Sequence, residues 1–158
     1  MRIGVVSDTH GLFRPQLPQA LAGVDHILHL GDVGKIEVLD ELRKIAPVSA
    51  VRGNIDREGA CAELPATDVV LFEGRYLYLL HDLNTIRLDP AAARFAAVLS
   101  GHTHVPNIST RRGVLYINPG SCGPRRFKLL PTLAILTVPP HGEVEEELEV
   151  QMVSLDAD

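Results

Sequence analysis

Short apolar runs end, again and again, in side chains able to hold a metal ion. Residues 3–7 run into Asp8-Thr9-His10, and residues 26–30 into Gly31-Asp32. Residues 48–51 lead through Arg52 into Gly53-Asn54-Ile55-Asp56, residues 76–80 into His81-Asp82, and residues 97–100 into Gly101-His102-Thr103-His104. The runs are brief and rich in β-branched residues, as strands are. Between the first three lie segments of helical character. Residues 15–23 are opened by proline. Residues 36–45 place Ile36, Leu39, Leu42 and Ile45 at three-residue spacing with charges elsewhere. Strand, helix, strand, helix, strand predicts parallel βαβ units, whose strand ends meet at one rim, and open α/β sheets bind ligands beyond the carboxyl ends of their strands.

The second half changes character. Residues 69–72 and 76–80 flank Glu73-Gly74-Arg75, and residues 108–110 and 114–117 flank Arg111-Arg112-Gly113, two hairpin patterns. A brief helix is expected over 90–95. Residues 133–138 and 144–153 are expected to close the fold, the latter alternating acidic and apolar residues as an exposed strand does. The fold class expected is α/β: two sheets packed face to face with helices outside, as one domain over residues 1–158. A chain of 158 residues suits one domain, which would bury about two-thirds of its unfolded surface.

Composition narrows the function classes. No apolar run approaches the roughly 18 residues of a membrane-spanning helix, and the first apolar stretch is too short for a signal peptide. Cys61 and Cys122 form no CxxC pattern, so a reducing cytoplasm is the expected compartment. The net charge of −5 argues against a large nucleic-acid footprint, though bound metals can reverse the local sign for an anionic small-molecule substrate. Association into homo-oligomers stays open.

Spacing sharpens the metal reading. Asp8/His10 and His102/His104 are i, i+2 pairs, which in extended backbone project to one side and can chelate. Gly31, Gly53 and Gly101 precede candidate ligands, where the backbone turns sharply or approaches a bound group. Carboxylates, imidazoles and one amide suit Mn, Fe, Ni or Zn better than Ca. Each piece has an ordinary explanation: Asp32 as a helix N-cap, Asn118-Pro119-Gly120-Ser121 as a turn. Their ordered recurrence at strand ends does not. His29, inside a strand, is expected to support the site rather than ligate. His26 and His141 are expected on the surface, and the acidic run 143–149 on a solvated face. Cys122, with no histidine beside it, is not expected to act as a nucleophile.

Taken together, D-x-H, GD, GN-x-D, H, GHTH and NPGS in this order resemble the calcineurin-like metallophosphoesterases, in particular their small bacterial phosphodiesterases without cap domains. The resemblance spans Arg2 to about Arg126. It implies an αββα sandwich, with Asp8, His10 and His104 on a first metal, Asn54, His81 and His102 on a second, and Asp32 bridging. It also implies catalytic roles for Asp32, Asn54 and His81, two divalent ions with Mn favoured, and in-line attack on a phosphate ester by a hydroxide shared between the metals. A diester is the expected substrate and a monoester the alternative. The same fold also serves as a retromer subunit that works through protein contacts with an incomplete metal site; here every ligand position is filled. Two residues depart from the family pattern: Ile55, where many members carry a proton-donating histidine, and Asp82, where glycine is usual.

Overall fold

The computed structural model of the chain describes residues 1–126, 128–144 and 146–155. Its order is β1 (Arg2–Val6), α1 (Leu17–Ala20), β2 (His26–His29), α2 (Ile36–Arg43), β3 (Val48–Ala50), α3 (Gly59–Ala62), β4 (Thr67–Phe72), β5 (Arg75–Leu80), β6 (Ala97–Leu99), β7 (Asn107–Arg111), β8 (Val114–Asn118), β9 (Thr132–Thr137) and β10 (Glu149–Ser154). One sheet has the order β10-β9-β1-β2-β3 and the other β4-β5-β6-β8-β7. β1, β2 and β3 are parallel, as the βαβ pattern requires, while β9 and β10 join antiparallel. β5, β6 and β8 are parallel, with β4 and β7 as antiparallel edges. Both sheets are therefore mixed.

The period of two along each strand builds the layers. Ile3 and Val5 of β1 and Leu28 of β2 join Leu77 and Leu79 of β5, Leu99 of β6 and Ile117 of β8 in the core between the sheets. Val6 and Ile27 turn the other way, onto Leu17 and Leu21 of the α1 segment and Leu39 and Leu42 of α2. Each such fully buried aliphatic side chain contributes roughly 1.5–3 kcal/mol by leaving water. α1 lies so close to β1 that a Cβ on Gly4 would stand 2.5 Å from Leu21 Cδ2. On the outer face of the second sheet, Tyr78, Leu80, Val98 and Val114 are covered by Leu83, Ile86, Ala91 and Phe95.

Several expectations are corrected in detail. The helix expected over 15–23 has only one turn, because Gly23 takes φ 79° and the backbone N–H of Val24 already turns back to Leu21. Residues 90–95 form turns rather than a helix: the Asp89 carboxylate accepts the N–H groups of Ala91 and Ala92, and Arg94 adopts φ 63°. The outer layer on that side thus consists of these turns and a 3-10 turn at Leu83–Thr85. The last strand begins at Glu149, not at 144. Glu145 lies outside the described residues; Glu143, Glu146, Glu147 and Glu149 are exposed, as a solvated acidic face should be. Among the described residues no helix is long and apolar enough to cross a membrane.

Candidate metal centre

The loops that leave β1, β2, β3, β5 and β6 converge at one rim, where the two sheets meet. The first two are zipped together by backbone hydrogen bonds: the N–H groups of Asp8, His10 and Gly11 donate to the carbonyls of Gly31, Asp32 and Val33 at 3.0, 3.0 and 2.8 Å. The Gly101 N–H donates to His81 O at 2.9 Å, joining the last two. The glycines before the ligands are there for close approach. A Cβ on Gly31 (φ 101°) would lie 2.7 Å from His81 Nδ1, one on Gly53 would collide with the Asp32 carboxylate, and one on Gly101 would stand 2.6 Å from Asp8 Oδ2.

The extended backbone expected for the two i, i+2 pairs is not found. Asp8, His10, Asp32, His102 and His104 all adopt left-handed backbone, at φ 57°, 47°, 54°, 73° and 65°. The curled loops aim Asp8 and His10 at one place but divide the second pair: His104 joins Asp8 and His10, whereas His102 turns to Asn54 and Asp82. Asp32 is not an N-cap; the next helix is preceded by Lys35.

Asp8 Oδ1 lies 3.8 Å from Nε2 of His10, 3.8 Å from that of His81 and 3.3 Å from that of His104. Asp32 Oδ2 is 3.5 Å from His10 Nε2 and 3.4 Å from His81 Nε2. Two groups, Asp8/His10/His104 and Asp8/Asp32/His81, each gather their ligand atoms within 4.8 Å. The remaining oxygens are committed to the protein. Asp8 Oδ2 accepts the Ser7 hydroxyl at 2.7 Å and the His102 N–H at 3.0 Å, and Asp32 Oδ1 accepts the Ile55 N–H at 3.1 Å. Asp8 Oδ1 and His10 Nε2, both shielded from solvent, have no hydrogen-bond partner.

His81 carries the sharpest clue. Its Nδ1–H donates to Leu30 O at 2.7 Å, which leaves a lone pair on Nε2 of the neutral ring. That nitrogen faces Asn54 Oδ1 at 3.0 Å, and the same oxygen is 3.2 Å from His102 Nδ1. His81 Nε2, Asn54 Oδ1 and His102 Nδ1 thus converge as a donor set that could hold a metal ion. The charges agree. Burial pushes the His81 pKa down, but the carboxylates of Asp32 and Asp8 outweigh it and raise it overall. Burial likewise pushes Asp8 up, yet His10, the Ser7 hydroxyl, His81 and His104 hold it below the usual carboxylate value. Asp32 is also held low, burial being outweighed by His81, the Ile55 N–H and His10. For His104 burial prevails and lowers the pKa.

His29 supports without ligating, as expected. Its Nδ1 accepts the Gly31 N–H at 3.1 Å, so Nε2–H donates to Thr9 Oγ1 at 3.0 Å, and that hydroxyl donates to Val33 O at 2.9 Å. Fully buried, the ring is pushed down to about 4. Cys122 is also fully buried, its thiol pushed up to about 12, which leaves no thiolate to act as a nucleophile. His26, expected on the surface, is half-buried instead, bonded to Ser49 Oγ at 2.9 Å and packed on Phe72. His141 is exposed.

Sequence reasoning missed several supports. Asp56 is buried, with its carboxylate accepting the N–H groups of Gly53, Val33 and Gly34 at 2.8, 3.1 and 3.0 Å, which ties the loops after β2 and β3 together. Asn118 Nδ2, at the end of β8, holds Gly101 O at 2.9 Å and Thr103 Oγ1 at 3.0 Å. Ser121 Oγ donates to Asp8 O at 2.9 Å. The turn at 118–121 therefore buttresses the ligand loops; its place after a strand end was the available signal.

Comparison with known proteins identifies the family. The calcineurin-like phosphoesterase superfamily domain matches residues 1–140. A probable metallophosphoesterase of Methanocaldococcus jannaschii is 33% identical over 99% of this chain and 82% of its own. In structure, Vps29 of Entamoeba histolytica, solved with zinc, superposes with TM-score 0.73 at 22% identity over 99% of this chain and 100% of that one. A structure described as a novel archaeal phosphodiesterase gives 0.72 at 24% identity over 97% and 100%. The chain belongs to the calcineurin-like phosphoesterase superfamily of metallophosphoesterases.

Proposed function

We propose that this phosphoesterase is a phosphodiesterase with two divalent ions. Asp8, His10 and His104 would hold the first, Asn54, His81 and His102 the second, and Asp32 would stand between. The observation that supports this is the convergence of His81 Nε2, Asn54 Oδ1 and His102 Nδ1 within hydrogen-bonding distance, beside the unpartnered Asp8 Oδ1 and His10 Nε2. Carboxylates, imidazoles and an amide together suit Mn, Fe, Ni or Zn, and the family resemblance favours Mn. When bound, such ions supply Lewis-acid charge for the phosphoryl oxygens and lower the pKa of water toward roughly 7.

The chain's own residues would do the rest. Ser7 and the His102 N–H fix one oxygen of Asp8, and the Ile55 N–H fixes one of Asp32, so each carboxylate offers its other oxygen in a set direction. Leu30 O fixes the tautomer and plane of His81. Asn54, a catalytic residue in this reading with Asp32 and His81, would turn its oxygen to metal and its NH₂ to the phosphate. Ile55, exposed at the rim, has no proton for the departing oxygen. The Asp56 carboxylate is turned to the backbone N–H groups of Gly53, Val33 and Gly34. Asp82 Oδ2 lies 3.8 Å from His102 Nε2, and its charge favours a diester over a monoester, which carries about one more negative charge. Cys61 and Cys122 are unpaired and buried, in keeping with a reducing cytoplasm.

The test is metal dependence. Chelation should abolish hydrolysis of bis(p-nitrophenyl) phosphate. Mn should restore it, and Mg should do less, because Mg prefers all-oxygen octahedra and keeps its waters. Full activity in metal-free protein would sink the reading. Purified protein without stoichiometric metal and without activity would favour instead the protein-contact role of the Vps29-like scaffold.

A further inference from the structure

Beside the rim, on the outer face of the second sheet, is a cleft of about 380 Å³. Asp82, Thr103 and Asn118 line it next to the rim; Tyr116 and Arg111 line it further along β8 and β7. The register puts Asn107 opposite Asn118, Ser109 opposite Tyr116 and Arg111 opposite Val114, so these side chains share one face of the sheet. The Arg111 guanidinium lies 4.6 Å from the centre of the Tyr116 ring, which fixes its place. Tyr116 is two residues from Asn118, about 7 Å along a strand.

Charge along the cleft alternates. The ligand cluster at the rim is a cation site, Asp82 next to the rim is anionic, and Arg111 is cationic. Among the described residues no carboxylate lies within 4.0 Å of Arg111, whereas its neighbour Arg112 pairs with Asp89 at 3.8 Å. Between the two ends, Asp82 Oδ2 is an acceptor, and Thr103, Asn107 and Asn118 are polar. A complementary ligand has a phosphate at the rim, hydroxyl donors beside Asp82, and a second anionic group further along the cleft, at Arg111.

The geometry points to this cleft as the subsite for the retained ester substituent, and to a substrate whose hydroxyl-bearing, sugar-like substituent carries its own phosphate. This rests on the phosphodiesterase reading above. Arg111 then sets specificity: it binds the second anion electrostatically and touches no reacting atom. Asp82 selects a neutral donor next to the scissile phosphate and rejects a second anion placed too close.

The experiment compares the 5′-(p-nitrophenyl phosphate) ester of uridine with the same ester carrying a 3′-phosphate, which keeps a free 2′-hydroxyl, on the Mn-loaded protein. Wild type should show a kcat/KM at least ~10-fold higher for the ester with the second phosphate. Arg111→Met should bring that ratio toward one, and Arg111→Lys should keep part of it. A ratio cancels changes in metal loading between variants. Equilibrium binding supplies a readout independent of turnover: uridine 3′,5′-bisphosphate should bind wild type at least ~10-fold more tightly than uridine 5′-phosphate, and equally with it in Arg111→Met. A wild-type ratio near one in both assays, or a ratio unchanged in Arg111→Met, overturns the subsite. If neither ester nor bis(p-nitrophenyl) phosphate is hydrolysed, the phosphodiesterase reading is what fails. The binding comparison still decides whether Arg111 receives an anion.

Discussion

Two opposite ends of this sandwich bend the backbone left-handed, for different reasons. At the hairpin end, Glu73-Gly74 joins β4 to β5 and Arg112-Gly113 joins β7 to β8, with φ of 49° and 77°, then 50° and 78°. Two-residue loops with both φ positive match the twist of the strands, and glycine takes one of the two positions without steric cost. At the rim the left-handed residues are Asp8, His10, Asp32, His102 and His104, the candidate ligands, whose side chains the proposed site would need. Left-handed backbone costs a residue with a Cβ roughly 1–2 kcal/mol. In the hairpins the turn itself requires the conformation. At the ligand rim it is imposed by hydrogen bonds between loops and retained where the side chains converge, as strain at functional sites is. The two ends ought therefore to respond in opposite ways to perturbation.

The largest effect should come from removing charge at the convergence point. Asp32→Asn should lose metal and most of its activity, by a factor on the order of 10² or more, since the outer partners of metal ligands alone are worth 10–100-fold. His29→Asn keeps an acceptor for the Gly31 N–H and should be milder on metal content. Equal losses of metal and of turnover in the two variants would break the distinction between ligand and support.

Next comes pH, read on the metal-free protein. His29 is neutral when folded, with a pKa of about 4 against an unfolded value near 6.5. The unfolded chain therefore takes up the proton first, and stability falls as pH drops from 6.5 toward 4, by up to about 3 kcal/mol at 1.36 kcal/mol per pKa unit. Asp8 and Asp32, held below their usual value, add their losses at lower pH, below about 3.8, so the windows separate. Urea unfolding of wild type and His29→Asn at several pH values checks this. Parallel curves between pH 6.5 and 4 would mean that His29 takes its proton in the folded state.

Smaller, and confined to chemistry, is the effect of Ile55. Its N–H is fixed on Asp32 while its side chain is exposed, so the backbone serves the site and the side chain contributes nothing to proton transfer. The rate should depend steeply on the leaving group, and Ile55→His should improve alkyl esters more than nitrophenyl esters. General acids typically contribute about 10²–10⁴-fold; an imidazole placed without supporting contacts should give at least about 10-fold in the ratio of kcat/KM. An unchanged slope across a leaving-group series, with metal content intact, would point to water or Asp82 as the donor.

What the sequence made legible follows from what periodicity can encode. Most strand positions, the parallel first half and both hairpins could be read, because alternation and turn residues are local signals, and the candidate ligands stood out where the apolar runs stop. The left-handed rim could not. Asp-x-His read as strand continuation projects both side chains to one face, and only the zipper between the Asp8–Gly11 and Gly31–Val33 loops, made across more than twenty residues of chain, curls them. Asn118 and Asp56 were hidden for the same reason: their partners, Gly101 and Thr103 for one, Val33 and Gly34 for the other, are distant in sequence. The helix expected over 90–95 failed because Asp89 satisfies the first N–H groups of a turn as readily as those of a helix.

The finest test sets the two ends against each other through glycine. Arg112→Gly and His102→Gly each relieve one left-handed residue, at φ 50° and 73°. Relief of the Cβ clash and the greater freedom of glycine in the unfolded chain nearly offset each other. The unfolding free energy of the metal-free protein should thus change by about 1 kcal/mol or less in either variant, and Arg112→Gly loses only an exposed ion pair, worth roughly 0–1 kcal/mol. Metal should separate them. Arg112→Gly should retain its metal and turnover, while His102→Gly should lose one ion per chain and its activity, because the ring facing Asn54 Oδ1 is gone. Suppose instead that metal-free His102→Gly loses several kcal/mol. Then the ring's own contacts, with Asn54 and edge-on with His81 at 5.1 Å between centroids, hold the loop in the absence of metal. The left-handed backbone there would be secured by packing, as in an ordinary core, and the contrast with the hairpin end would dissolve.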